Sequence, residues 1–326
     1  MGYGRNAQVG WVQETTWGTP VTPPTKFAEV VTADPGIMYD RKPRQVLRGL
    51  DPVEGNLVAT LEGAQPTFTI EAFYDGMLRL FEHLFGDASG VTAVQEAVVR
   101  WGHTFTPKAT VMTGKGLTLY INTDTDDGGN ESVQVSGVKL NSLVIKGQPE
   151  QAVQLTFSGA GKASVDVVET APTFSARPNL VGYDQLTCEI DDVVRKIDGY
   201  ELTFDNGLDL GKRVMGSKNI DQPIRGGDNP PRKITGTLTM DAVLADLTKL
   251  RAGTFFKIEL LHTGPALGNL TYGMDITMTK CRVTGQPYSV DQAGILKSEL
   301  AFEACAPSAG GDAITLLIRN NESVIA

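Results

Sequence analysis

Apolar residues along this 326-residue chain recur mostly at every second position. Val153, Leu155 and Phe157 alternate with polar neighbours, as do Ile234, Gly236, Leu238 and Met240. Met274, Ile276 and Met278 repeat the pattern, followed by Leu300, Phe302 and Ala304. A strand turns successive side chains to opposite faces, so this spacing buries one face and wets the other. The chain is therefore expected to be mainly β and antiparallel. The 36 glycines and 17 prolines, spread along the length, supply the turns that many short strands need.

Two stretches break the alternation with a helical period. In EAFYDGMLRLFEHLFG, Met77, Leu80, Phe81, Leu84 and Phe85 share a face and Gly86 supplies the stop. In MDAVLADLTKLRAG, Asp241 caps the start, Leu244, Leu247 and Leu250 share a face, and Gly253 ends the run. Each helix follows an alternating strand directly. Each is followed by further strands, a Gly-Gln-Pro turn (Gly147 to Pro149, Gly285 to Pro287) and a Leu-x-Phe strand (Leu155 to Phe157, Leu300 to Phe302). The ordered match reads as an internal duplication, with units at 1–172 and 173–326 joined across the proline-punctuated stretch 167–180. The first unit carries extra residues, mainly Asp87 to Thr110, as a surface decoration or a longer connection. Ala313 to Ile318 alternates enough for a strand, placed either within the chain or across a subunit boundary.

Chemistry is sparse. His83, His103 and His262 are dispersed, and His83 sits on the apolar helix as a structural residue. Thr113 to Gly116 resembles part of a phosphate loop, but Ala109 stands where the first glycine belongs and Gly116 replaces the magnesium-binding hydroxyl. Asn122 to Gly128 resembles a calcium loop, but Asp127 occupies the glycine position and Val133 the position of the twelfth-residue glutamate. Both stretches read better as turns, and no enzyme, metal or cofactor site is expected. Cys188, Cys281 and Cys305 are odd in number without CxxC spacing, which fits three buried thiols. The start has no apolar signal region and no run reaches the roughly 18 to 20 apolar residues of a membrane helix. Synthesis and retention in a cytoplasm-like compartment, without secretion, are expected. A net charge of −9 argues against a surface built to grip nucleic-acid phosphates.

Several short motifs in order carry a family likeness. Glu14-Thr15-Thr16-Trp17-Gly18-Thr19 resembles the opening of the tail tube (major tail) proteins of long, non-contractile-tailed bacteriophages, the siphophages. The likeness continues through His103 to Pro107, through Val135 to Leu143 with Gly137 and Asn141, and through Gly147 and Pro149. It resumes at Tyr200 to Asn206, at Gly236 to Met240, and at Gly285 and Pro287. The motifs are short, so their order along nearly the whole chain gives the likeness its weight.

The resemblance implies two tandem tail-tube-type β-sandwich or barrel units, each flanked by one amphipathic helix. It implies a structural virion protein whose rings stack into the tail tube, enclosing the tape-measure protein and later conducting the genome. Its partners would be copies of itself, the tape-measure protein, and the tail terminator and distal-tail proteins. Double-stranded DNA would pass without specific binding, past a wall rich in carboxylates. Two duplicated units per chain predict a trimeric, pseudo-sixfold ring. The basic loops at 41–48 and 212–233 are expected to touch the next ring, through Arg41, Lys42, Arg44, Arg48, Lys212, Arg213, Lys218, Arg225 and Arg232. The competing reading is a β-sandwich binding module, an adhesin or capsid-decorating protein.

Overall fold

A computed structural model describes residues 7–43, 57–86, 93–108, 114–124, 130–168, 179–225, 231–241, 248, 252–285, 297–307, 310–323 and 325. The first half contains β1 (Gln8–Gln13), β2 (Lys26–Asp34), β3 (Ile37–Pro43), β4 (Leu57–Ala64) and β5 (Thr67–Glu71). The helix α1 (Leu78–Phe85) follows, then β6 (Ala93–Ala97), β7 (Arg100–Phe105), β8 (Leu117–Asp124), β9 (Asn130–Gly147), β10 (Gln154–Ala160) and β11 (Ala163–Val168). The second half contains β12 (Leu186–Ile190), β13 (Val193–Arg195), β14 (Ile197–Asp205) and β15 (Lys233–Asp241). It ends with β16 (Phe256–Leu267), β17 (Leu270–Val283), β18 (Lys297–Ala304) and β19 (Thr315–Asn320). All paired strands are antiparallel, so the chain is mainly β, as the alternation requires.

The pairings follow one order in both halves. In the first, β1 pairs with β8, β8 with β9, β9 with β10, β10 with β5 and β5 with β2. Strand β2 also pairs with β1, which closes the circuit. In the second, β12 pairs with β16, β16 with β17, β17 with β18, β18 with β15 and β15 with β14. There β12 pairs with the short β13, which runs into β14. A β-bulge even recurs at matching places, between Val30 and Thr32 opposite Ile70, and between Ile197 and Gly199 opposite Met240.

Strand β9 is long enough to serve two neighbours on one edge. Its first half pairs with β8, and its last residues pair with β14 of the second half. The strands β2–β5–β10–β9–β14–β15–β18–β17 thereby form one eight-stranded sheet. Its inner face carries Phe68, Ile70, Leu143, Ile145, Leu155, Phe157, Leu202, Phe204, Leu238, Leu300 and Phe302, all nearly inaccessible. Helix α1 caps this core, with Phe81 tilted against Phe157 and Phe85 against Phe204 at 4.9 Å.

The helix is shorter than its sequence pattern. Gly76 adopts φ +88°, which breaks the chain before Met77 and keeps Glu71 to Asp75 out of the helix. At the far end Gly86 is left-handed, and its N–H bonds Glu82 O at 3.0 Å. Asp241 ends β15; Thr248 and Ala252 are helical, and the rest of the second expected helix lies outside the described residues.

Three further expectations resolve. The extra residues of the first half hold the β6–β7 hairpin, and β7 pairs with β19, so Ala313 to Ile318 contributes to a strand within the chain. The stretch from Asn122 to Gly128 lies at the β8–β9 connection, of which 125–129 fall outside the described residues. Cys188 and Cys281 are buried, whereas Cys305, just past the end of β18, is half-buried and departs from the expected burial. Among the described residues no helix is long and apolar enough to cross a membrane.

All three histidines are structural and buried. Met274 O accepts from His262 Nδ1 at 3.2 Å, so Nε2 must accept from Tyr200 Oη at 3.0 Å. Burial pushes His262 down to about 4, holds His83 well below its ordinary value, and lowers His103 against the opposing pull of Glu322. Asp75 works in the other direction, raised to about 6 by burial and by Glu322. Below the unfolded histidine value of about 6.5 the unfolded chain binds more protons than the fold, so stability is lost as pH falls. Asp75 and Asp275, both raised chiefly by burial, offset part of that loss. Urea unfolding should therefore show a falling midpoint between pH 6.5 and 4, with His262 alone contributing on the order of 3 kcal/mol. A flat midpoint over that range would contradict neutral buried histidines.

Candidate assembly interface

The junction of the halves runs along β9 and β14, with Gly147 opposite Tyr200, Lys146 opposite Glu201, Val144 opposite Thr203 and Ser142 opposite Asp205. Gly147 is required there because the Tyr200 ring lies on it: a Cβ would sit 2.2 Å from Tyr200 Cε1. Gly285, its counterpart by sequence, would place a Cβ 3.6 Å from Ala301 Cβ, an ordinary contact. The two glycines thus meet different surroundings. Pro149 is exposed in its turn, and Pro287 lies outside the described residues.

Asn141 ties the junction at one end. Its Nδ2 donates to Asp205 Oδ1 at 3.0 Å, and its Oδ1 accepts from Leu208 N at 2.8 Å. Asn206 then reaches into the first half, donating from Nδ2 to Leu84 O at 2.7 Å and satisfying a free carbonyl at the end of α1. Arg232 completes the tie, donating to Asn206 Oδ1 and Lys108 O while its guanidinium lies over Phe204. Burial and the nearby Arg225 lower Arg232 to about 10.

The N-terminal motif makes a second knot. Glu14 is fully buried; its Oε1 accepts from Thr118 Oγ1 at 2.9 Å and Gly137 N at 2.7 Å, and its Oε2 accepts from Gly18 N at 2.7 Å. Trp17 Nε1 donates to Gly137 O at 2.8 Å, and Lys162 lies 5.3 Å over the indole. Gly18 and Gly137 adopt φ +73° and +67° and face each other too closely for side chains. Thr19 N closes the turn onto Thr16 O at 3.1 Å. Gly114 O and Gly116 O accept from Trp17 N and Glu14 N, so the stretch that resembles a phosphate loop spends two of its carbonyls on this knot.

Of the first basic stretch, residues up to Pro43 lie in β3, where Arg41 stands opposite Ala59 and Lys42 opposite Val58 of β4. Arg44 and Arg48 lie outside the described residues. The counterpart in the second half narrows like a hairpin: Asp209 N bonds Ile224 O, Asp221 N bonds Lys212 O, and Ser217 N bonds Val214 O. Lys212 Nζ pairs with Asp221 at 2.7 Å, and Lys218 Nζ with Glu62 Oε1 at 2.7 Å. Arg213 is exposed and Arg225 half-buried. Sequence reasoning placed these cations in loops but missed the partner of Lys218, because Glu62 lies far away in the chain. The hairpin form of 209–224 also lacked any alternating signal.

The outer face of the eight-stranded sheet is polar and runs in rows across the strands. One row reads Thr32, Thr69, Thr156, Val144, Thr203, Thr235, Glu303 and Arg282. Thr69 and Thr156 hydroxyls bond at 2.9 Å, and Ser142 and Ser158 in the next row at 2.6 Å. Carboxylates of Asp34, Glu71, Glu201, Asp205 and Glu303 on this face outnumber the cations of Lys146, Lys233 and Arg282. Elsewhere Glu189, Asp192 and Glu259 converge, and Lys257 pairs with the last two.

The sequence model of the family described as phage tail tube protein matches residues 4–304. No curated protein matches the chain.

Three substitutions separate these roles. Gly147→Ala should destabilise by about 2 kcal/mol through the Tyr200 clash, whereas Gly285→Ala should stay within about 0.5 kcal/mol. Glu14→Ala strands buried donors and should cost on the order of 3 kcal/mol. Chemical denaturation of the purified variants measures all three, and equal losses at the two glycines would contradict their unequal packing.

Proposed function

The chain belongs to the phage tail tube protein family, and from that premise we propose that it assembles into stacked rings that build a virion tail tube. The tube encloses the tape-measure protein, ends on terminator and distal-tail proteins, and later conducts double-stranded DNA. The observation that carries this reading is the edge-to-edge joint of β9 with β14. Two units with the same pairing order already share one sheet inside a single chain, which supports an internal duplication.

The same joint repeated between chains closes a ring. The edge of β2 over Val31 to Asp34, on the side away from β5, has no strand partner among the described residues, and Val31 is exposed there. The edge of β17 past Cys281, on the side where β16 begins at Phe256, likewise has no described partner. Unpaired edges attract further strands, and a closed ring removes them. Three chains of two units each give a pseudo-sixfold ring.

The polar face of the continuous sheet then lines the lumen. Hydroxyl rows wet the wall without fixed charge, and the excess of carboxylates repels phosphates, so DNA meets no sticky surface. The motif residues Glu14, Trp17, Gly18, Gly137, Asn141 and Gly147 serve this function by holding each unit and the joint rigid.

Electron microscopy of assembled protein tests the reading. The expected map has three chains and six units per ring, with a net-acidic lumen. Six whole chains per ring would overturn the trimer, a net-basic lumen would overturn the wall assignment, and isolated particles would favour a β-sandwich binding module.

A further inference from the structure

We propose that the Tyr200–His262 bond is an acid-sensitive pin of the joint between the halves: a proton taken up by the imidazole frees the Gly147 end of the β9–β14 ladder while the far end stays paired. The proposal concerns one chain by itself and stands whether or not that chain builds a ring.

The geometry leaves the imidazole no place for a second proton. His262 is buried on β16, and each ring nitrogen already has a partner. Nδ1 gives its hydrogen to Met274 O, a carbonyl that can only accept. Nε2 therefore holds the lone pair that takes the hydrogen of Tyr200 Oη. A proton at Nε2 sets two donors face to face, so the tyrosine hydroxyl must turn away or its ring must move. Among the described residues no charged group bonds the imidazole to offset the new charge. Leu186 of β12 stands opposite His262, and burial pushes the nearby Cys188 thiol up to about 12. Tyr74 spends its hydroxyl on Gln185 of the turn Tyr183–Gln185. Asp184 of that turn and Asp198 of β14 are exposed, and Asp275 of β17 is taken by Arg319.

What the tyrosine holds is the end of the ladder. Tyr200 pairs with Gly147, the last residue of β9, and its ring lies on that glycine. A half-open cavity of about 50 Å³ adjoins the bond, lined by Gly147, Pro149, Val153, Leu186, Ile197 and both rings. Once the Tyr200 ring shifts, this cavity gives solvent a short way to the imidazole. The far end of the ladder is tied differently, by Asn141, Asn206 and Arg232. Neither amide titrates, and Arg232, lowered only to about 10, keeps its charge in acid. Burial holds His262 at about 4 in the closed joint against about 6.5 in an open one. The closed joint is therefore favoured near neutrality and loses that stability as pH falls from about 6.5 to 4. Opening from one end is the form such a loss takes when the other end has no titrating tie.

Residue-resolved hydrogen exchange of the whole chain at pH 6.5 and pH 4, corrected for the intrinsic pH dependence of amide exchange, tests the pin. Nitrogen NMR of the histidines accompanies it. Protection at Ile145 to Gly147 and at Tyr200 to Leu202 should fall on the order of 100-fold between the two pH values. Ser142 and Asp205, at the far end, should keep theirs. The His262 ring should carry its hydrogen on Nδ1 at neutral pH. His262→Gln, whose amide can donate to Met274 O and accept from Tyr200 but takes up no proton, should abolish the acid response at the Gly147 end. An Nε2–H imidazole at neutral pH overturns the proposal. So does protection that is lost equally at both ends, which is global unfolding, or unchanged at the Gly147 end, or lost as steeply in His262→Gln. Should His262→Gln fail to fold, the two ends of the wild-type ladder and the tautomer still decide.

Discussion

The backbone ladder between β9 and β14 is the interaction on which the rest of this molecule depends. Without it each half would expose a strand edge to solvent, with unpaired N–H and C=O groups along its length. With it, eight strands form one sheet whose apolar face is continuous across the halves. The side chains at the joint show how little tolerance it has. Tyr200 lies flat on Gly147, its hydroxyl is fixed by His262, and Asn141 and Asn206 fasten the loop beyond the last pair. A neutral His262 is part of the arrangement, because the imidazole must accept from tyrosine on one side and donate to a carbonyl on the other.

Short family motifs often mark surfaces, but here most mark places where the backbone has no alternative. Glu14 is a buried carboxylate that replaces missing backbone partners in a turn, and the two left-handed glycines beside it leave no space for a Cβ. Such residues hold the backbone rather than present a surface. They fix the angle between the N-terminal segment and the β8–β9 hairpin.

Much of the fold was legible because period-two alternation needs no knowledge of partners. Leu155 and Phe157, or Leu238 and Met240, announce a buried face whatever strand lies next to them. The helix of the first half was legible for the same reason, except at its start, where the backbone at Gly76 overrode the side-chain pattern. The order of elements was legible, and the strands of the two halves pair in the same order. What the residues concealed is long-range pairing. Nothing in Lys218 points to Glu62, nor anything in Cys305 to its half-exposed position past β18. Gly147 and Gly285 look equivalent in sequence because a turn motif records local geometry and is blind to the ring of Tyr200 resting on one of them.

The exchange of strands between the halves has a consequence for timing. Strand β19 pairs with β17 on one edge and with β7 of the first half on the other. Just beyond it, Glu322 bonds Lys26, Gly76 and, through its carbonyl, His103, so β2, the approach to α1, and β7 all rest on residues made long after them. During synthesis the first half must wait, partly formed, with the flank of β7 uncovered. Only when β19 has arrived are both halves finished, and they are finished together. A chain built this way leaves its first half open until its last strand has been made, so the two halves become stable as one body rather than in turn.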